Sequence, residues 1–141
     1  MAYLIKVSLG EILDKLSILE IKLGFAKEAS QKANIQKEFD HLGDIASPLF
    51  EADEGELRGL YNKLKSINHQ LWVIEDDIRL KEQNQDFGDE FVKLARSVYI
   101  TNDERAATKR DINTLLNSEF FEEKIYTNPE YANVSSENAR N

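Results

Sequence analysis

Seven branched aliphatic residues, Leu57, Leu60, Leu64, Ile67, Leu71, Ile74 and Ile78, return at alternating steps of three and four, and this run constrains the chain more than any other feature. Such spacing keeps one apolar stripe on one side of an α-helix, whereas a strand would scatter the same residues over both of its faces. A helix is therefore predicted over residues 54–83. Asp53 and Glu56 open it in the capping-box arrangement that satisfies free backbone donors at a helix start. At 1.5 Å per residue this helix is about 45 Å long, so it must be the spine of a helical bundle or a coiled-coil arm.

Weaker copies of the pattern flank it. Ser8 with Glu11 is a second capping box, and the stripe Leu9, Ile12, Leu16, Leu19 and Leu23 follows it. Ile18, Ile21 and Phe25 lie far around the same helix, which implies two neighbours or a partner subunit. A second helix over residues 31–45 carries Ile35, Phe39 and Leu42, with Gly43 and Ser47-Pro48 expected to end it. The fourth opens at Asp86 and Asp89 and carries Phe91, Leu94, Ala95 and Val98. Thr101 with Glu104 offers a break there. Without a break, the stripe passes through Thr101, Arg105 and Thr108 before Ile112 and Leu115. A short last helix is expected over residues 118–126, a disordered tail over 127–141, and residues 3–7 carry a faint strand signal. The fold class is all-α: one domain over residues 1–126, a bundle of four to five helices.

Composition narrows the function. A chain of 141 residues with 26 acidic and 18 basic side chains carries a net charge of -8, which repels a phosphate backbone, so no nucleic-acid partner is expected. It has no cysteine, which excludes thiol chemistry and thiolate metal sites. No stretch approaches the ~20 apolar residues of a membrane span, so the expectation is an acidic cytoplasmic protein without a membrane partner. The six glycines are scattered singly, and His41 and His69 fall on different helices, so no cofactor, metal site or catalytic group is expected. Glu11 with Asp14, and Glu75-Asp76-Asp77, fall short of the carboxylate spacing of magnesium-dependent nucleotide pyrophosphohydrolases, the weakest alternative.

Charges beside apolar stripes are the remaining candidates. Asn68, Trp72, Glu75 and Arg79 recur at steps of four, three and four on a line of their own beside the leucine seam. Glu20 sits on the shoulder of the first helix's stripe, and Arg105 interrupts the fourth's. Ions so placed need partners. Glu20, Asn68, Trp72, Glu75, Arg79 and Arg105 form either a polar pocket for a small polar or anionic ligand, in a binding protein or an enzyme, or an ion-pair network that fixes helix register. Spare apolar and aromatic lines on the first and third helices point to a homo-oligomer, a dimer first, and to a non-enzymatic binding or assembly module.

Four blocks carry a resemblance: Ser8-Leu9-Gly10-Glu11-Ile12-Leu13-Asp14-Lys15-Leu16 running on to Leu19-Glu20-Ile21-Lys22, Leu71-Trp72-Val73-Ile74-Glu75-Asp76-Asp77-Ile78-Arg79, Ala95-Arg96-Ser97-Val98-Tyr99 with Asn102-Asp103-Glu104-Arg105-Ala106, and Glu122-Glu123-Lys124-Ile125-Tyr126. In order and spacing the chain resembles a family of short bacterial proteins classed as a domain of unknown function. That resemblance implies a stand-alone helical domain. It implies no activity and no residue roles.

Overall fold

Residues 1–127 are described by the computed structural model, and among them lie four helices: α1 (Leu9–Phe25), α2 (Ala29–Glu51), α3 (Glu56–Gln83) and α4 (Asp89–Leu115). Apart from Thr127, the tail expected from residue 127 onward lies outside the described residues.

Capping chemistry sets the helix starts. Ser8 Oγ accepts the Glu11 N–H at 3.1 Å, the hydroxyl half of its capping box, while the Glu11 carboxylate turns to Lys109. At α3 the acid caps from further back. Asp53 Oδ2 accepts the N–H groups of Gly55 at 2.8 Å and Leu57 at 2.9 Å, while Gly55 takes a left-handed φ of 113° that favours glycine. The helix therefore begins at Glu56 and spans 28 residues, slightly less than the spacing suggested.

Three expectations need correction. The second helix does not stop at Gly43 or Pro48 but runs to Glu51. Pro48 stands in its exposed last turn, and Asp44, whose carbonyl loses its N–H partner there, is itself open to water, while Ala46, Leu49 and Phe50 of the same turns reach the core. No helix covers residues 118–126. Asn117 takes a left-handed φ of 50° and Ser118 N–H bonds back to Asn113 O at 2.8 Å, which closes α4 and turns the chain. Residues 3–7 are exposed and form no strand.

α4 continues through Thr101 without a break, and its polar stripe is enclosed: Thr101, Thr108 and Ile112 are buried. The core gathers Leu13 and Leu16 of α1, Ala46 of α2, Leu57, Tyr61 and Leu64 of α3, and Ile112 of α4. Burying a Leu or Ile side chain fully is worth about 1.5–3 kcal/mol, so Leu13, Leu57, Leu64 and Ile112 anchor the bundle.

α1 is the hub, packing on all three other helices, while α3 and α4 also share an extensive contact. Two apolar groups on α1 thus have neighbours within one chain. Of the expected α1 stripe only Leu16 and Leu19 are buried, whereas Gly10, Leu13, Asp14, Ser17 and Ile21 form its most enclosed face. At Gly10 the backbones meet: an added Cβ would lie 2.6 Å from Lys109 O and 2.9 Å from Asn113 Oδ1. Gly10→Ala is therefore expected to lower unfolding free energy by about 2 kcal/mol, the cost of overpacking against a rigid carbonyl. Urea denaturation followed by circular dichroism measures it.

Candidate functional site

One carboxylate joins three helices. Asp14 of α1 is 1% exposed, yet both of its oxygens are engaged. Oδ1 accepts Arg105 Nε at 2.9 Å and Asn68 Nδ2 at 2.8 Å, and Oδ2 takes a short bond from Arg105 Nη2. The two-pronged contact matches the planar guanidinium fork to the carboxylate. Asn68 Nδ2 also donates to Ser17 Oγ at 2.8 Å, and Ser17 Oγ donates to Asp14 O at 2.7 Å. A buried anion needs this many donors, since water cannot supply them.

A second cation extends the cluster. Lys109 Nζ of α4 sits 2.6 Å from Glu11 Oε2, 2.9 Å from Glu122 Oε1 and 3.9 Å from Asp14 Oδ2. Asn113 Oδ1, one turn on, accepts the Gly10 N–H at 2.7 Å, and Ser118 Oγ accepts the Leu9 N–H at 3.2 Å. Glu122 belongs to the non-helical stretch after α4, which turns back along that helix. Glu123 meets Arg110, and Lys124 meets Asp103. Between this stretch and α4 lie two adjoining clefts of about 450 and 550 Å3, with Lys109 and Tyr126 lining both.

The sequence candidates are distributed over separate partners. Arg105 and Asn68 converge on Asp14. Glu20 takes Tyr61 Oη at 2.7 Å and Lys65 Nζ at 2.8 Å. Trp72 stacks on Phe25 with ring centroids 5.0 Å apart. Glu75 and Arg79 pair with each other at 3.4 Å on the exposed part of α3. The line through Asn68 and Trp72 therefore divides, because α1 ends at Phe25 beside Trp72.

Sequence reasoning missed Asp14, Ser17, Lys109, Asn113 and Glu122 as members of the site. A signal existed for two of them. Gly10, Asp14, Ser17 and Ile21 repeat at steps of four, three and four, as do Tyr61, Lys65, Asn68 and Trp72, and Thr101, Arg105, Thr108 and Ile112. Three matched lines of polar and small residues meet at the cluster. Glu122 gave none, since it reaches Lys109 only after a turn that periodicity does not show.

Electrostatics favours the charged forms of Lys109, Arg105, Glu122 and Glu20. Burial would lower the Lys109 ammonium, but carboxylates of Glu11 and Glu122 outweigh it and hold its pKa above the ordinary 10.5. Arg105 is raised by its bond to Asp14. Glu122 is held below 4.5 by the ammonium of Lys109, which lies 2.9 Å from its carboxylate. Burial would raise Glu20, yet the donors Lys65 and Tyr61 prevail and its pKa is lowered, while burial and Glu20 push the Tyr61 hydroxyl upward. The phenol thus stays protonated at neutral pH. Among the described residues no buried side-chain N or O lacks a partner, and no group of His, Cys, Asp or Glu could hold a metal ion.

Two outcomes follow. Asp14→Ala leaves the Arg105 charge without its partner and is expected to cost about 3–5 kcal/mol in urea unfolding, whereas Asp14→Leu combined with Arg105→Met recovers most of that loss. Glu20 and Glu122, with lowered pKa values, add stability that is present above 4.5 and lost as pH falls through their folded values. Chemical denaturation from pH 6 to about 3 should show this loss, reduced in Glu20→Gln.

A family model described as a family of unknown function (DUF6165) matches residues 3–140, and the chain belongs to that family. No curated protein and no solved structure matches it.

Proposed function

From membership of a family that supplies no activity to inherit, we propose that the chain is a non-enzymatic assembly module that self-associates through the far ends of α3 and α4. One observation carries this reading. Asn68 and Ile100 are buried, but no residue from 69 to 99 is. That stretch is an antiparallel helical arm: Asn68 and Arg105, both bonded to Asp14, stand at similar distances from the turn that joins the helices. About 15 residues of each helix project past the cluster, some 22 Å.

Past Trp72, which stacks on Phe25 of α1, two helices packed on each other cannot enclose an apolar seam. Leu71, Ile74, Ile78, Phe91, Leu94 and Val98 remain half-buried. Outside that seam Val73, Leu80, Phe87 and Val92 are 44%, 55%, 53% and 51% exposed. Apolar surface so disposed favours a further helical layer.

A second copy of the chain supplies that layer with matching charge. Val73 and Leu80 stand seven residues apart on α3 with Asp76 and Asp77 between them, and Val92 and Tyr99 stand seven apart on α4 with Arg96 between them. The acidic α3 face of one copy complements the basic α4 face of another. The polar cluster then serves as the rigid base from which the arm projects.

Light scattering coupled to size exclusion should give at least a dimer mass at micromolar concentration. Leu80→Glu combined with Val92→Glu should weaken self-association at least about 30-fold, the loss of one hot spot of ~2 kcal/mol, without loss of helix content by circular dichroism. A wild-type chain that remains a monomer at several hundred micromolar overturns the reading.

A further inference from the structure

The clefts beside α4 are walled on one side by residues 118–127, and that strap holds two adjacent carboxylates against two adjacent cations. Glu122 Oε1 lies 2.9 Å from Lys109 Nζ, and Glu123 Oε1 lies 3.4 Å from Arg110 Nη1. We propose that this cleft is a binding site for a small dianion, a carboxylate or phosphate compound, whose seat the strap's Glu122 and Glu123 occupy in the free protein. The proposal does not depend on self-association through the arm.

The two cations differ in how they are held. Lys109 has a side chain only 11% exposed, and it keeps Glu11 of α1 at 2.6 Å whatever the strap does. An anion entering the cleft thus meets an ammonium already oriented by the bundle, with no new ordering needed. Among the described residues Arg110 is held from the strap side, by Glu123, by the carbonyl of Glu122 at 3.5 Å and by the Phe121 ring at 5.7 Å. Displacing the strap leaves its guanidinium open to a bidentate partner.

The strap itself is lightly attached. After Ser118 none of its described residues is buried, and two of the pairs that hold it, Lys124 with Asp103 and Glu123 with Arg110, are between side chains at least 38% exposed, while the third joins Glu122, 58% exposed, to the more enclosed Lys109. Exposed pairs of this kind are weak and screened by salt. Room is sufficient: about 450 Å3 lies within the range of small-molecule pockets. Ala106 and Ala107 of α4 offer an apolar wall for the ligand's carbon frame that stays in place when the strap lifts. A protein of net charge -8 repels anions at long range, so affinity has to come from these local cations and must fall with salt. Both Lys109 and Glu122 stay charged at neutral pH, so the competition is between two full ion pairs.

The test uses the full chain titrated with inorganic phosphate and with citrate at constant ionic strength, read by calorimetry and by melting temperature against a chloride control. A saturable rise over chloride is expected. Glu122→Gln combined with Glu123→Gln removes the internal competitor and should bind about 10-fold tighter, while Arg110→Gln, at an exposed side chain outside the buried cluster, should bind about 10-fold weaker. Trypsin cleavage after Lys124 should quicken in wild type when the anion is added, as the strap lifts. A response to one anion and not the other supports the site and selects its ligand chemistry. Absence of any saturable response in both wild type and the double variant overturns the proposal, as does a double variant that binds no tighter than wild type.

Discussion

A carboxylate hidden from water is the constraint around which this bundle is organised. Between helices the Asp14 oxygens are cut off from water and need other donors, which come from two other helices, Asn68 on α3 and Arg105 on α4. Apolar packing alone tolerates sliding of one leucine stripe over another, because such contacts are non-directional. Bonds to one carboxylate do not. The cluster fixes where along its length each of three helices crosses, and Gly10 lets α1 lie against α4 closely enough for Lys109 to join.

Helix content and the core were legible because periodicity reports burial directly. Leu57, Leu64 and Ile67 are buried as their spacing requires, and the stripe through Thr101, Thr108 and Ile112 runs on without a break. Errors arose where an exposed breaker is harmless, as at Pro48, and where one left-handed residue redirects the chain, as at Asn117. Asp14 was hidden for a different reason. Its side chain lies between Leu13 and Leu16, in a turn that looks like a solvated helix start, and only the match among three separate polar lines distinguishes it from a surface acid. Arg105 and Asn68 were visible because they interrupt or flank strong apolar seams.

Polar and apolar features divide the molecule by position. Near the meeting point of α1, α3 and α4, charges are enclosed and matched, so that end is stiff. Farther along α3 and α4, apolar side chains are half open and charges such as Glu75 and Arg79 face outward. Beside α4 the returning strap lays acids against bases. Each region therefore has a different unspent capacity: shape in the cluster, area on the arm and charge in the cleft.

Two of the bonds near the start of α1 reach across 103 and 109 residues, from Gly10 to Asn113 and from Leu9 to Ser118. During synthesis the first helix emerges early, but its opening turn finds these partners only after the last turn of α4 has left the ribosome. Until then Asp14 has no Arg105, and the emerging chain carries an acid inside an otherwise apolar helix face. Closure of this junction is therefore a long-range event, which must overcome the entropy of a loop of 103 to 109 residues.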